Sequence, residues 1–196
     1  FISIPWFSPA FKAGGPIQSI ANMVNRLDGR YQFYIFTADT DFDGTELLDI
    51  EKDIWTDFAP TTKVFYASDG DRSNEVCRQI ESLQPDILYI VGMYNWQFNL
   101  VPLFFAAHEH KILSVRGMLH PGALGQKSIK KKVFLQLFKM LGKHKAISFH
   151  ATDENEKQFI ENAFGAQVKI ETAANYPRKM QAVLKEKSAG IVKILT

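Results

Sequence analysis

One cysteine in 196 residues, Cys77, excludes an internal disulfide and a metal cage built from cysteines. It lies in a helical pattern, reads as a packed core or boundary residue, and fits a reducing cytoplasm. No apolar run approaches the ~20 residues a membrane span needs, and no charged leader precedes Phe1, so neither a span nor a secretory signal is expected. Paired-cysteine, His-Glu-x-x-His and EF-hand spacings are all missing, so no metal site is expected. The Gly-x-Ser-x-Gly nucleophile elbow is missing as well. So is the Walker phosphate loop, and no dinucleotide fingerprint is formed: the loop before Gly14 is too long, and Ser19 stands where a later glycine belongs. The last absence is of charge. Residues 110–152 contain no Asp or Glu but carry eight lysines and Arg116, whereas residues 39–57 carry eight acids against Lys52 alone. The net charge of +2 conceals this segregation.

What is present describes a folded α/β chain. A hydrophobic fraction of 46% and sixteen phenylalanines supply a core, and the length fits one large domain or a domain plus a fragment. Apolar, β-branched runs predict seven strands at 1–4, 31–37, 63–67, 87–91, 112–115, 146–149 and 168–171. Helical periodicity predicts helices at 16–27, 71–83, 99–108, 128–141 and 153–163, with residues 38–59 left as a long acidic loop. The alternation predicts a doubly wound, mostly parallel, seven-stranded Rossmann-like sheet. Such sheets bind ligands beyond the carboxyl ends of their strands, which selects loops 5–16, 38–59, 92–98, 116–125, 150–154 and 172–178. Residues 1–178 read as this domain, and 179–196 as a linker followed by the first strand of another.

The stretch from Pro5 to Pro16 stands out. Gly14 and Gly15 let the backbone pass close to something bulky, Pro16 suits a first helical turn, and the amides that follow form a ready anion site. An ordinary tight turn is the plain alternative. Arg116, at the carboxyl end of the fifth predicted strand, can hold phosphate or carboxylate with a fork of donors, or else pair with the acidic loop. His120 is either an acid/base group or a turn cap. In the basic helix, Val133, Phe134, Leu137, Phe138 and Leu141 form a stripe expected to dock on the sheet, with Leu135 and Met140 off it among lysines. That basic face either rests on anionic lipid or is simply solvated; nucleic acid is disfavoured for want of a stacking platform or recognition helix. Thr152 or Asp153 with Glu156 resembles a capping box, and Asn175-Tyr176-Pro177 reads as an exit turn.

Taken together, an ordered set of residues carries a resemblance. It comprises Phe7, Pro9-Ala10-Phe11 and Gly14-Gly15-Pro16; Thr37, Asp39 and Asp41; and Ser114 to Leu119 with Pro121 to Leu124. Lys131-Lys132, His150-Ala151-Thr152, Asn155-Glu156 and Asn175 complete it. It resembles the N-terminal domain of a group 1 glycosyltransferase, of the retaining family 4 with the GT-B fold. The resemblance implies two Rossmann-like domains facing each other across a cleft, this one chiefly holding the acceptor and the other the nucleotide sugar. It implies that Gly14, Gly15 and Pro16, with Arg116 and Gly117, face the donor diphosphate and sugar. Arg116 stands where the family often presents a histidine, with His120 as the substitute, so both are the catalytic candidates. Asp39, Asp41, Tyr94, Trp96 and His150 fall on the acceptor side, and Lys130, Lys131 and Lys132 on a membrane-facing surface. No cofactor is implied beyond a UDP- or GDP-sugar substrate, and the acceptor is a cell-surface glycan or lipid-linked. The expected site of action is cytoplasmic, with peripheral contact at the inner face of the membrane, and the fragment alone is expected to be inactive. Two other classes stay open: a nucleotide- or dinucleotide-binding oxidoreductase or epimerase domain, and a non-catalytic module binding membrane or a partner.

Overall fold

Successive residues of the central strands are apolar on both sides, which suits a sheet covered on both faces. Phe1, Phe36, Phe65 and Ile90 turn into one core, and Ile2, Ile4, Ile35, Val64 and Tyr66 into the other. The computed structural model describes residues 1–125 and 128–178, apart from the side chains of 124–130 and 132. The expected linker and strand in 179–196 lie outside the described residues.

The chain runs β1 (Ile2–Ser3), α1 (Gly15–Leu27), β2 (Phe33–Ala38), β3 (Trp55–Ala59), β4 (Thr62–Ala67), α2 (Arg72–Leu83) and β5 (Leu88–Val91). A π-helical turn (Trp96–Leu100) leads directly into α3 (Val101–Phe104), then β6 (Lys111–Ser114), α4 (Pro121–Gly125) and α5 (Ser128–Met140). A 3-10 turn (Lys143–Lys145), β7 (Ser148–Ala151), α6 (Glu154–Phe164) and β8 (Lys169–Thr172) follow. The sheet order is β3-β4-β2-β1-β5-β6-β7-β8, parallel throughout except for β3 against β4. The chain winds outward from β1 through β2 to β4, returns beside β1, and winds out the other way from β5. The reversal lies between β1 and β5, where an open α/β sheet leaves a crevice at its carboxyl edge. Ile20, Ala21 and Val24 of α1 pack on one face. Val76 and Ile80 of α2, Leu103 of α3, Phe138 of α5, and Ile160 and Phe164 of α6 pack on the other. Among the described residues no helix is long and apolar enough to cross a membrane.

Three expectations are corrected. The sheet has eight strands rather than seven, because β3 lies at the end of what reads as the 38–59 loop. It forms a hairpin with β4, with a register shift between Asp57 and Ala59 that breaks the period-2 signal. Trp55 anchors it, edge-on to Phe65 at 5.3 Å and donating its indole N–H to Gln79 at 2.8 Å. The helix expected at 99–108 starts at Trp96 as a π-turn and ends at Phe104. Asn95 sets this start by accepting from Phe98 N, and buried Asn99 ties it to the Val91 carbonyl at 2.8 Å. Finally, α5 is rotated from its expected docking. Phe134, Leu135 and Phe138 pack on the core, while Val133, Leu137 and Leu141 are exposed. Phe138 decides the rotation, slotting between Phe104 at 5.7 Å and Phe164 at 5.4 Å.

Candidate functional site

Two helix N-termini open on the same cleft, and they differ. Gly14 precedes α1 at φ 73°, ψ −127°, a conformation for which glycine is needed. Among the described residues no side chain caps α1, and its first turn holds no acid, so its leading amides keep their partial positive charge. The N-terminus of α6 is filled instead. Asp153 caps it by accepting from Glu156 N at 2.8 Å. The buried Glu156 carboxylate accepts from Thr152 N at 2.7 Å and Thr152 Oγ1 at 2.8 Å, and its other oxygen takes Gly117 N at 2.5 Å. The capping box read from the sequence is therefore present in variant form, and it also pins the loop after β6.

The loop ahead of α1 is fixed from beneath by Asp41. Its buried carboxylate accepts from Phe11 N at 3.0 Å, Lys12 N at 3.1 Å and Phe42 N at 2.6 Å. Burial alone would push the carboxyl up, but the N–H groups of Phe11, Phe42 and Lys12 outweigh it and hold it below the usual carboxylate range. Asp39 is equally committed, accepting Arg72 Nη2 at 2.6 Å and Lys52 Nζ at 2.8 Å. Both acids were assigned to the acceptor side by resemblance; here they hold their own chain in place.

Arg116 sits where β6 gives way to its loop, at φ 50°, followed by Gly117 at φ 70°. The turn is closed by Met118 N to Val115 O and His120 N to Gly117 O, both 3.0 Å. Arg116 Nη1 donates to Asn175 Oδ1, and Nη2 donates to Tyr89 Oη at 3.1 Å. Its Nε is buried with no partner among the described residues. Among the described residues no carboxylate pairs with Arg116, so the alternative of pairing with the acidic loop is not realised there. Of those acids, Asp43 pairs with Lys12, Asp39 with Lys52 and Arg72, and Glu46 with Lys52.

Behind Arg116 the bonding has a fixed direction. His150 Nε2 lies 2.8 Å from the Ala173 carbonyl, which can only accept, so Nε2 carries the proton. Nδ1 is then the acceptor, and Tyr89 donates to it at 2.6 Å while receiving from Arg116. Ser114 Oγ lies 3.3 Å from the same nitrogen. Burial pushes the His150 pKa down; the Ala173 carbonyl opposes this, and the Arg116 charge adds to it. Because the folded ring resists protonation more than the unfolded one, this site favours folding above pH ~6.5 and loses that contribution as pH falls below it. Changing His150→Gln should therefore flatten the dependence of melting temperature on pH between ~6.5 and the acid limb; an unchanged slope would remove His150 from that role.

His120 is exposed at the cleft, its Nδ1 accepting from Gly122 N at 3.0 Å and its ring edge-on to Phe159 at 5.2 Å. In the neutral ring the proton is therefore on Nε2. The cleft encloses about 760 Å³ and brings together Gly15, Pro16, Arg116, Gly117, His120 and Glu156. A hollow of about 300 Å³ beside Tyr89 and His150, and another of about 280 Å³ beside Trp6 and Phe42, adjoin it; Arg116 lines all three. Gly14 positions the rim by its backbone.

The remaining candidates lie elsewhere. Tyr94 is half-buried against the core, its hydroxyl buried without a partner among the described residues and pushed up in pKa by that burial. Trp96 is exposed, edge-on to Phe105 at 6.2 Å. Lys131 turns inward, its Nζ 5.4 Å from the Tyr94 ring centre and 2.5 Å from the Ala123 carbonyl. The side chains of Lys130 and Lys132 lie outside the described residues. Tyr89 has no functional signature in the sequence: it sits in an apolar strand run and reads as core. Only the pairing of β5 with β6 and β6 with β7 brings it to His150, 61 residues away. Among the described residues no group of three or more His, Cys, Asp or Glu is placed to hold a metal ion. No protein-family model, curated protein or solved structure matches the chain.

Proposed function

We propose that this chain is the acceptor-side half of a retaining glycosyltransferase, moving a sugar from a UDP- or GDP-sugar to a cell-surface glycan or lipid-linked acceptor. One observation supports the reading above the others. Arg116, a cation with no carboxylate partner among the described residues, shares a cleft with the bare N-terminus of α1. A leaving nucleoside diphosphate gains negative charge as its bond to the sugar breaks. Donors fixed beforehand and left without an anion of their own are what that charge requires. His120 Nε2–H is a third donor at the same cleft. Most of the nucleotide is held, in this reading, by a second domain facing the cleft. The activity belongs in the cytoplasm, with the enzyme held at the inner face of the membrane.

The test is transfer by the chain joined to its donor-binding half, with UDP- and GDP-sugars offered alongside lipid-linked and polysaccharide acceptors. Product whose anomeric configuration matches the donor is the expected result. Absence of transfer, together with a rise in melting temperature on adding NAD or NADP, would overturn the reading in favour of an oxidoreductase or epimerase domain.

A further inference from the structure

Tyr89 is the middle member of a row of three side chains, and its hydroxyl has one proton to give. That proton goes to His150 Nδ1 at 2.6 Å, which leaves the oxygen to accept Arg116 Nη2 at 3.1 Å. His150 is fixed from its far side by the Ala173 carbonyl, 2.8 Å from Nε2. With Asn175 taking Nη1, the guanidinium is gripped at both tips by neutral oxygens, and each tip keeps one N–H unspent among the described residues. Arg116 has room to leave this position, because it lines both the cleft and the hollow of about 300 Å³ beside Tyr89. The charges facing His150 are Arg116, Glu156 of α6, and Lys169 and Glu171 of β8; α1 presents Ser19 and Met23 there, and no charge. Glu156 is spent on Gly117 and Thr152. Among the described residues His150 itself bonds only Tyr89, Ser114 and Ala173.

We propose that Tyr89 is the positioning residue that holds Arg116 at the cleft, and that it does so only while His150 is neutral. Protonation turns His150 Nδ1 into a donor, so Tyr89 can no longer give its proton there. The hydroxyl oxygen then accepts from His150 and its proton swings toward Arg116, setting donor against donor. A second positive charge also arrives one hydroxyl away from the guanidinium, in a half-buried place where no carboxylate bonds either group. Both effects loosen the grip on Nη2 and leave Asn175 to hold Arg116 alone. The three side chains thus form a proton-sensitive latch. Above the His150 midpoint Arg116 stands fixed for an arriving anion, and below it the guanidinium swings free. Burial keeps that midpoint below the usual histidine value, so the latch is closed at neutral pH. The latch deepens the sugar-transfer reading and rests on it only for its effect on turnover; the grip on Arg116 is measurable without any transfer.

The experiment follows the Arg116 guanidinium by heteronuclear NMR of the whole chain, its signal identified by its loss in Arg116→Gln. Rotation of the guanidinium should be restricted at neutral pH and about tenfold faster once His150 is protonated, the two changes sharing one midpoint. Arg72, held by Asp39, should not follow. Tyr89→Phe keeps the ring and removes the hydroxyl. Its Arg116 should rotate fast at every pH, and its His150 should protonate at a higher pH, having lost the bond that favours the neutral ring. His150→Gln should abolish the pH step, because an amide does not titrate. A tyrosine that merely packs would lower the melting temperature and move neither signal. In the chain joined to a donor-binding half, turnover should fall on the acid side at the same midpoint, and Tyr89→Phe should flatten that limb. An Arg116 that stays restricted through the His150 titration or in Tyr89→Phe, or a pH step that survives His150→Gln, would overturn the latch. An Arg116 that loosens with His150 while no sugar is transferred would leave the latch standing and overturn the sugar-transfer reading alone.

Discussion

On the proposed sugar-transfer reading, changing Arg116→Gln in the chain joined to a donor-binding half is expected to lower kcat by about 10²–10³, the usual effect of removing one preorganised donor from a developing anion. The melting temperature should move little, because Arg116 is half-exposed and its described partners, Asn175 and Tyr89, are neutral. Arg116→Lys keeps the charge but not the fork that spans those partners, so it should recover only part of the loss. A second readout separates a local electrostatic role from general damage. The Arg116 charge helps hold His150 below the usual histidine range, so its removal should raise the His150 pKa, measurable by titrating the ring protons. Full turnover in Arg116→Gln would remove Arg116 from the reaction.

The site owes its form to a division of labour between two helix starts. α6 begins with its own anion: Asp153 and Glu156 satisfy its leading amides, and Glu156 also grips Gly117. That N-terminus is structural, and it carries the Arg116 loop. α1 begins with no anion, and its approach is rigid because Asp41 binds three N–H groups around it. A rigid approach to an unfilled N-terminus is the arrangement that costs least reorganisation when an anion arrives. Both starts line one cleft together with the loop after β6.

What was legible in the sequence follows the range of the interactions. The β/α alternation and the helices α1, α2 and α6 rest on short-range periodicity, and all appear at their expected places. The Gly14-Gly15-Pro16 turn was legible because glycine before proline has few structural explanations. The β3 strand was hidden by the acidic run before it and the register shift within it. The facing of α5 was misread because its apolar residues cover more than one stripe; Phe104 and Phe164, distant in sequence, choose which of them is buried. The partners of Asp39 and Asp41 were hidden for the same reason. An acid at a strand's carboxyl end looks alike whether it meets ligand or, as here, Arg72 and backbone amides. The Arg116–Tyr89–His150 relay joins three strands and has no local signature.

The two adjacent glycines should respond differently to substitution, and the difference tests the cleft directly. Beyond its chain neighbours, a Cβ on Gly15 would meet nothing within 4 Å, and Gly15 already lies inside α1. Its one close neighbour is the Pro16 ring, which crowds a Cβ-bearing helical residue before it, so Gly15→Val should cost about 1 kcal/mol of stability. Yet the added branch would stand in the cleft, over the amides that an arriving anion must reach, and displacement of that anion by ~1 Å is enough to cost about 10²-fold in turnover. Gly14 has equally open space but a backbone at φ 73°, ψ −127°. Gly14→Ala must pay strain of about 1–3 kcal/mol, so melting temperature and turnover should fall together. Activity thus falls far more than stability at Gly15, and the two travel together at Gly14. A Gly15→Val enzyme with full turnover would mean that nothing approaches the α1 N-terminus during the reaction.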